Sequence, residues 1–538
     1  EKRSFPIDSA VDDQIVSTLL ELDGDVYGLS CYVWNAKLVR RVVERLRAEK
    51  PECRIVLGGP QVMHHGADYL KREDERTYLC NGEGEITFKN FLEETLTDEQ
   101  DFTRVKGISF WSKGELVTTP PEARLSSLDS IPSPFLEGVF DTDAYPWVPW
   151  ETNRGCPFKC NYCYWGAATA SKVHKFGIDR LKAELKWMVE SGAMYIFIVD
   201  ANFGMLPRDL ELTEYVTQLK AEYGAPMAVS YFSSKNTPER ASTIARTLKK
   251  AGLLSYHPIS LQTLNHDALV AVERDNIRSE TYNAMLEALN DEKCSTYAEL
   301  IWPLPGETLD SFKDGVVQLR EAGISHIMAY PLQLMNNVGL MQRKDEYELR
   351  TIPESGSIGE GAFVVSTKWV TQAEHQEGLW YSFADTIIDS LSGMRFLAKF
   401  LHESGRQARR KTIEQFVDLL KRRTSTKVHE YIASLFEADG WGQFETYGTL
   451  MLVSLHDARE EGDQLLQEFF DSHEDWAKDE KLRVLFELDR IARPYLFRNL
   501  PFELSPRQTP LLEVEAIEGG FHVRVPERLA PTVLEALD

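Results

Sequence analysis

The feature that most constrains this chain is a group of three cysteines within eight positions. Cys156, Cys160 and Cys163 are spaced C-x3-C-x2-C. So tight a group can place three thiolates on one small inorganic object, and iron–sulfur clusters are the usual thiolate-held object of that size. Three ligands leave one iron open to a small molecule. A structural zinc site is the alternative, but zinc usually takes a second ligand pair at a matching spacing, which the neighbouring sequence lacks.

Composition limits the class of protein. A chain of 538 residues is expected to form about three domains. Its net charge of −24 argues against a nucleic-acid backbone as the main partner. We expect no membrane span and no secretory signal, because no run of 18 apolar residues occurs and no signal pattern opens the sequence. The other four cysteines (Cys31, Cys53, Cys80 and Cys294) are scattered, which favours the reducing cytoplasm. We also expect a monomer.

The N-terminal part alternates helices and strands. Apolar spacing predicts helices over 10–22 and 36–48 and buried strands over 26–31 and 54–57. This alternation indicates a parallel, doubly wound sheet, and such sheets bind ligands at the carboxyl ends of their strands. Three loops should therefore converge there: 30–35, 58–61 and 82–85. For any one of them, the simpler interpretation is a tight turn that needs glycine.

Two motifs carry a family resemblance. The triad with Tyr162 before its last cysteine resembles the C-x3-C-x-aromatic-C signature of the radical S-adenosylmethionine (SAM) enzymes. In that family the open iron of a [4Fe-4S] cluster chelates SAM, and the aromatic residue lies beside the adenine. The loops Ser-Cys-Tyr-Val-Trp-Asn at 30–35 and Gly-Gly-Pro at 58–60 resemble the cobalamin-binding domain of the cobalamin-dependent radical SAM enzymes. This likeness covers residues 5–90, and it implies that the first sheet strand lies outside this sequence.

The resemblance places cobalamin against the three loops. The expected residues are Ser30, Cys31, Tyr32, Trp34, Asn35, Gly58, Gly59, Pro60, Gln61, Gly82 and Glu83. Many cobalamin proteins place a histidine below cobalt through Asp-x-His-x-x-Gly. Here His64-His65-Gly66 lacks the aspartate and the spacing, and Asp471-x-His473 lacks the glycine and lies far away. We therefore expect Trp34 to cover the lower face of cobalt. The alternative is that Trp34 is an ordinary core residue.

The middle of the chain shows six strand–helix units. Strands are predicted near 149–153, 194–199, 227–231, 254–261, 296–301 and 326–330, and helices over 178–191, 238–251 and 279–289. Six units suit the (β/α)6 partial barrel that the resemblance implies. Barrel sites lie at the C-terminal ends of strands.

Several strand ends fall where the family binds SAM. Asp200-Ala201-Asn202 stands in place of the usual Gly-Gly-Glu that holds the methionyl amine. The stretch 260–263 lies where the family contacts ribose and carboxylate, and 301–307 (Ile-Trp-Pro-Leu-Pro-Gly-Glu) resembles the motif that flanks adenine. The expected SAM residues are Tyr162, Asp200, Asn202, Ser233, Gln262, Glu299 and Pro303.

The last third predicts a different architecture. The stretches 372–404, 411–420, 428–436 and 448–488 have amphipathic helical spacing, and 511–516 with 520–525 predicts a hairpin. Such an appended domain would serve as lid and substrate reader, with Tyr330, Asn336 and Asn337 near the barrel mouth. The fold class is α/β: a Rossmann-like cobalamin-binding domain (1–125), a linker (126–148), a radical SAM partial barrel (149–338) and a mainly helical C-terminal domain (339–538).

The resemblance implies a methyltransferase. The 5′-deoxyadenosyl radical would abstract hydrogen from an unactivated carbon of a small natural-product intermediate, which would take a methyl group from methylcobalamin. A carbapenam in antibiotic biosynthesis is the specific hypothesis, and a flavodoxin- or ferredoxin-type protein is the expected electron donor. The alternatives are a radical rearrangement or cyclisation, polar methylation such as that of an aromatic carbon, and a non-catalytic cobalamin- or light-sensing module. Methylthiolation of tRNA is disfavoured, because no second cysteine triad and no basic tail occur.

Overall fold

The computed structural model describes ten stretches of the chain. They are 11–63, 65–143, 145–165, 172–234, 237–274, 294–353, 359–436, 458–493, 511–517 and 520–537. Within these stretches, no helix combines the length and the apolar character that crossing a bilayer requires.

The N-terminal domain is built on one five-stranded sheet in the order β1-β2-β3-β4-β5. Strands β1 to β3 are parallel, and β4 and β5 form an antiparallel hairpin at the edge. The elements are α1 (Val11–Glu21), β1 (Val26–Ser30), α2 (Ala36–Glu49), β2 (Arg54–Gly58), α3 (Gly66–Tyr69), β3 (Thr77–Cys80), α4 (Gly84–Thr95), β4 (Ile108–Ser112) and β5 (Glu115–Thr118).

Both faces of this sheet are covered, as a doubly wound fold requires. Ile55 and Leu57 lie in one apolar cluster with α1 and α2. Val56, which points the other way along β2, lies in a second cluster with Tyr78 and Phe91. Because both faces are buried, β2 reads as a continuous apolar run, which made it recognisable from the sequence.

The middle domain contains six parallel strands. They form two sheets, ordered β10-β9-β6 and β11-β12-β13. The elements are β6 (Trp147–Trp150), β7 (Asn153–Arg154), β8 (His174–Lys175), α5 (Ile178–Glu190), β9 (Tyr195–Phe203), α6 (Arg208–Tyr223), β10 (Ala228–Ser233), α7 (Pro238–Lys250), β11 (His257–Gln262), α8 (His266–Ala271), β12 (Thr296–Trp302), α9 (Leu309–Glu321) and β13 (His326–Pro331).

The C-terminal part is mainly helical, with a small antiparallel pair of strands, β14 and β15, after its first short helix. The elements are α10 (Gly339–Gln342), β14 (Arg350–Pro353), β15 (Ala362–Ser366), α11 (Gln372–Asp385), a π-helix (Thr386–Ser390), α12 (Arg395–Glu403), α13 (Arg409–Arg422), α14 (Lys427–Ser434), α15 (Arg459–Asp471), α16 (Glu474–Lys478), α17 (Glu480–Ala492), β16 (Glu513–Ile517), β17 (Gly520–Arg524) and α18 (Ala530–Leu537).

The predicted α/β class with a helical C-terminal region is confirmed. All six barrel strands overlap their predicted ranges, although the first lies at 147–150 rather than 149–153. The hairpin β14–β15 was not predicted. The predicted helix over 279–289 lies outside the described residues, as do residues 1–10.

One continuous apolar core joins the barrel to the C-terminal helices. Trp302, at the end of β12, is fully buried and stacks on Phe312 at a ring-centroid distance of 4.4 Å. Its indole Nε1 donates to the carbonyl of His375 at 3.0 Å. A Cβ at Gly378 would lie 2.5 Å from that nitrogen. Helix α11 can therefore approach the barrel this closely because residue 378 has no side chain.

We predict that Gly378→Ala destabilises the protein by about 1–3 kcal/mol, because the methyl group forces α11 away from Trp302. Gly315→Ala is the matched control, since a Cβ there meets Leu264 at an ordinary 3.9 Å and alanine is the better helix former. Chemical denaturation measures both variants. Equal stability of the two would contradict the close packing of α11 on Trp302.

Candidate functional site

The cysteine triad lies in the loop between two short paired strands. Asn153 pairs with Lys175, and Arg154 pairs with His174. Gly155 follows at a φ of +118°, and a Cβ there would lie 2.1 Å from the carbonyl oxygen of Lys172. Only glycine fits this backbone. The turn that places Cys156 is thus possible only because residue 155 is glycine.

Polar N–H groups approach two of the three thiols. Cys156 and Cys160 are both buried. Asn202 Nδ2 lies 3.3 Å from Cys156 Sγ, and Arg274 Nη1 lies 3.7 Å from Cys160 Sγ. Hydrogen bonds to sulfur are among the features that tune iron–sulfur clusters. The donor set, three thiols with N–H groups beside them, fits such a cluster. In the described stretches, no group of three or more Cys, His, Asp or Glu side chains is placed so that it could hold a metal ion.

Asp200 holds the start of this loop. Its carboxylate accepts the backbone N–H groups of Thr152 at 2.7 Å and Asn153 at 3.1 Å. The side chains of the same two residues also donate to it. Asp200 is only 1% exposed, on the same face of β9 as the core residues Ile196 and Ile198. Burial raises its pKa to about 7, against the effect of these donors. The geometry favours a structural role for Asp200 over contact with SAM.

The other residues predicted to contact SAM cluster around the same end of the barrel. Glu299 lies on β12 and accepts from Ser260 Oγ at 2.8 Å and from Tyr297 at 3.1 Å. Gln262 ends β11 in the left-handed region, with a φ of 71°. The remaining ones are Asn202 on β9, Ser233 at the end of β10, Pro303 after β12 and Tyr162 in the cysteine loop. Their contact with SAM stays a prediction.

The polar lining of the barrel contains two tyrosines. Tyr297 and Tyr330 share a hydrogen bond between their hydroxyl groups. Tyr297 also bonds Glu299, so these side chains form one chain of hydroxyl and carboxylate groups. Burial, followed by the Glu299 carboxylate, raises the pKa of Tyr297. The Tyr297 hydroxyl therefore stays protonated well above the pH at which a free tyrosine ionises.

The three loops predicted to hold cobalamin lie together at the carboxyl ends of β1, β2 and β3 in the N-terminal sheet. The first two are in backbone contact, since Cys31 N–H donates to Gly58 at 2.7 Å and Gln61 N–H donates to Cys31 at 3.3 Å. A Cβ at Gly59 would lie 2.5 Å from the carbonyl oxygen of Cys31. In the third loop Gly82 has a φ of +116°, and nothing lies within 4 Å of the position of its missing Cβ. The third loop therefore leaves open space at the carboxyl ends of these strands.

Trp34 projects from the first loop rather than entering the core. Its side chain is 59% exposed and stacks on Tyr32 at 4.5 Å with an interplanar angle of 10°. Asn35 closes the loop, because its Oδ1 accepts from Tyr32 N–H at 2.7 Å and its Nδ2 donates to Ser30 at 3.0 Å. The alternative interpretation, an ordinary core tryptophan, is wrong for this position.

The cysteine loop and the sheet loops face each other. Tyr164, next to Cys163, donates its hydroxyl hydrogen to Met63 Sδ at 3.8 Å. Burial raises the pKa of Tyr164 to about 12, and the nearby Tyr32 adds to this shift. Tyr164 also lines a cavity of about 450 Å3. Its other lining residues are Met63, His65, Asn81, Gly82, Glu83, Glu85, Ile86, Pro121, Glu122, Ala123, Arg124, Leu125, Asn336, Asn337, Val338 and Gln342. The cavity thus lies among the third sheet loop, the stretch 121–125 after β5, the stretch 336–342 after β13 and the cysteine loop.

Two of the residues predicted to contact substrate lie beside this cavity. Asn336 and Asn337 line it. Asn337 also contacts the N-terminal domain, because its Nδ2 donates to the carbonyl of Pro60 and its Oδ1 meets His65 Nε2. The third, Tyr330, lies on β13 of the barrel. Asn337 therefore joins two domains, whatever else it does.

Sequence reasoning missed two arginines of the site. Arg274 Nη1 donates to the Tyr162 hydroxyl at 2.8 Å and also lies beside Cys160. Arg154 lies 2.9 Å from Glu85 and 3.6 Å from Glu83, both in the third sheet loop. Arg274 follows no motif that would single it out. Arg154 directly precedes the triad's glycine and also pairs with the nearby Glu151, but Glu83 and Glu85 are 71 and 69 positions away in the sequence.

Comparison with known proteins finds a match for each of the two domains. Residues 5–92 match the B12 binding domain, and residues 150–324 match the radical SAM superfamily. The cobalamin-dependent radical SAM methyltransferase TokK of Streptomyces tokunonensis is 36% identical over 344 residues. A 2-(S-pantetheinyl)-carbapenam-3-carboxylate methyltransferase of Streptantibioticus cattleyicolor is 37% identical over 343 residues. Each alignment covers 62% of this chain and 50% of the relative, so the chain spans about half the length of these relatives.

A solved structure supports the fold. The cobalamin-dependent SAM radical enzyme OxsB, with aqua-cobalamin and SAM bound, aligns with a TM-score of 0.55 at 16% identity. The alignment covers 89% of this chain and 77% of that one. At this identity the likeness concerns the fold alone.

We predict that Asp200→Asn lowers the stability of the protein by about 1–3 kcal/mol, because whichever way the amide is turned, its NH2 group faces an N–H that the carboxylate now accepts: the backbone N–H groups at Oδ1 or the Asn153 side chain at Oδ2. The exposed Asp98→Asn is the control. Thermal unfolding measures both. An unchanged Tm together with weaker SAM binding would instead assign Asp200 to SAM.

We predict that Trp34→Ala changes stability by less than about 1 kcal/mol, since its side chain is mostly exposed. Trp150→Ala, at a buried tryptophan in the barrel core, should cost about 3–5 kcal/mol. Urea unfolding of the two variants makes the comparison. A large loss for Trp34→Ala would show that the indole supports the fold.

Proposed function

We propose that this chain, which joins a B12 binding domain to a radical SAM domain, is a cobalamin-dependent radical SAM methyltransferase. The two matches confirm the resemblance stated from the sequence. The observation that carries the proposal is the contact between the two loop systems. Tyr164, beside the cysteine triad, reaches Met63 and lies near Tyr32 of the sheet loops. Chemistry that uses both cofactors on one substrate needs them on either side of one space.

The two domains imply three cofactors: cobalamin, SAM and a [4Fe-4S] cluster. Cys156, Cys160 and Cys163 would hold the cluster, and the three sheet loops would hold cobalamin. When bound, SAM with the cluster supplies a carbon-centred radical, and cobalamin supplies the methyl group. The chain's own contribution is to hold, orient and shield these groups.

Specific side chains suit those tasks. Asn202 and Arg274 place N–H groups at two cluster thiols. Trp34 offers an indole, which cannot readily ligate cobalt, at the expected lower face. Glu299, Tyr297 and Ser260 line the barrel with hydrogen-bonding groups that can orient a polar molecule.

For the substrate, we propose a carbapenam-type small molecule whose unactivated carbon receives the methyl group. The relative from Streptantibioticus cattleyicolor, a 2-(S-pantetheinyl)-carbapenam-3-carboxylate methyltransferase, supports this substrate class. Radical rearrangement or cyclisation and polar methylation are the alternatives. The domain bounds, a monomeric state, a flavodoxin- or ferredoxin-type electron donor and a cytoplasmic location stay predictions.

The test is an anaerobic assay of the reconstituted protein. It contains hydroxocobalamin, a one-electron reductant, SAM labelled in its methyl group and 2-(S-pantetheinyl)-carbapenam-3-carboxylate. We expect both 5′-deoxyadenosine and a product that carries the labelled methyl group. Cys160→Ala should lose both, while Cys294→Ala, outside the triad, should retain them.

The other outcomes discriminate between the alternatives. Deoxyadenosine without a methylated product would favour rearrangement or cyclisation. A methylated product without deoxyadenosine would favour polar methylation. Neither product from protein that holds all three cofactors would contradict the proposal for this substrate class.

A further inference from the structure

A residue of the C-terminal part reaches the first sheet loop. Glu360 directly precedes the stretch that leads into β15, yet its partners belong to the N-terminal domain. Its backbone N–H donates to the carbonyl of Val33 at 2.7 Å. Val33 is the immediate neighbour of Trp34. A segment more than 300 positions downstream therefore holds the loop that presents the exposed indole.

The Glu360 side chain makes two further contacts with the same domain. Tyr69, on α3, donates its hydroxyl hydrogen to Oε2 at 2.9 Å. Arg40 Nη2, on α2, lies 3.3 and 3.4 Å from the two carboxylate oxygens. One residue thus contacts the first loop, α2 and α3 at once.

The partners of Glu360 are themselves held in place. The Arg40 guanidinium lies 3.8 Å over the Tyr69 ring, and its Nη1 donates to the carbonyl of Asp68 at 2.6 Å. The Tyr69 side chain is buried, next to the fully buried Cys31 of the loop. The carboxylate therefore meets two preordered donors rather than two mobile side chains.

An ion pair of this exposure would contribute little alone. The Arg40 and Glu360 side chains are 34% and 36% exposed, and such pairs are screened by solvent. The hydroxyl donor and the backbone hydrogen bond act at the same residue. The combination fixes geometry more than it adds stability.

We propose that Glu360 is a positioning residue, a latch by which the C-terminal part fixes the loop 31–35 and so orients Trp34 towards cobalamin. This inference rests on the proposed function, because it takes that loop to be a cobalamin contact. In the latched state the loop is closed from within by Asn35 and from outside by Glu360. Loss of the carboxylate leaves only the internal closure and the backbone hydrogen bond.

The test is the rate at which hydroxocobalamin leaves the loaded full-length protein, followed by visible absorbance. We expect Glu360→Ala to release it about three- to tenfold faster, because only part of the free energy of the lost ion pair and hydrogen bond opposes the release of cobalamin. Glu360→Gln keeps an acceptor for Tyr69, so its rate of cobalamin release should fall between those of the wild type and Glu360→Ala. Glu346→Ala is the matched control, because Glu346 is also paired to an arginine, Arg343, but within the C-terminal part.

Arg40 provides a second arm. If Arg40 and Glu360 act as one unit, Arg40→Ala and Glu360→Ala should not add: the double variant should release cobalamin no faster than the faster single variant. Circular dichroism shows that each variant is folded. Additive effects, or release from Glu360→Ala at the rate of Glu346→Ala, would overturn the latch while leaving the proposed function intact. Wild-type protein that binds no cobalamin would overturn the proposed function and the latch with it.

Discussion

The buried carboxylate of Asp200 is the interaction on which the cysteine loop depends. Its oxygens accept two backbone N–H groups at the point where the barrel's first strand gives way to the triad. The next turn needs Gly155, and the first thiol follows at once. Because this anchor is buried and fully hydrogen-bonded, the position of Cys156 relative to the barrel is set by β9 and not by the loop itself.

A second constraint is that the two cofactor sites belong to different domains. Chemistry shared between them requires the domains to be held in one relative position. Three contacts do this in different ways: Arg154 forms ion pairs with the third sheet loop, Tyr164 packs on Met63, and Glu360 holds the first loop. The cavity of about 450 Å3 lies beside the first two of these contacts, because Glu83, Glu85, Met63 and Tyr164 line it.

Local patterns were sufficient for the fold class, for the barrel strands and for the positions of the strand-end loops. The six barrel strands and the glycine loops are encoded in short runs of residues, so periodicity and turn chemistry revealed them. The pattern did not reveal which strand-end side chains face the barrel interior. Neighbouring residues of a strand face opposite sides, and the structure shows that Asp200 lies on the same side of β9 as the core residues Ile196 and Ile198. Arg274 and Glu360 were missed because their partners are distant in sequence and each lies in an ordinary local context.

The most direct test of the account is whether the two cofactors lie close together in one protein. Paramagnetic resonance can compare cobalt(II) cobalamin in protein with a reduced cluster and in protein whose triad is changed to alanine. The account predicts that the reduced cluster broadens the cobalt signal and speeds its relaxation, and that the triad variant loses this effect while keeping its cobalamin. A cobalt signal that is the same with and without the cluster would contradict the convergence of the two sites.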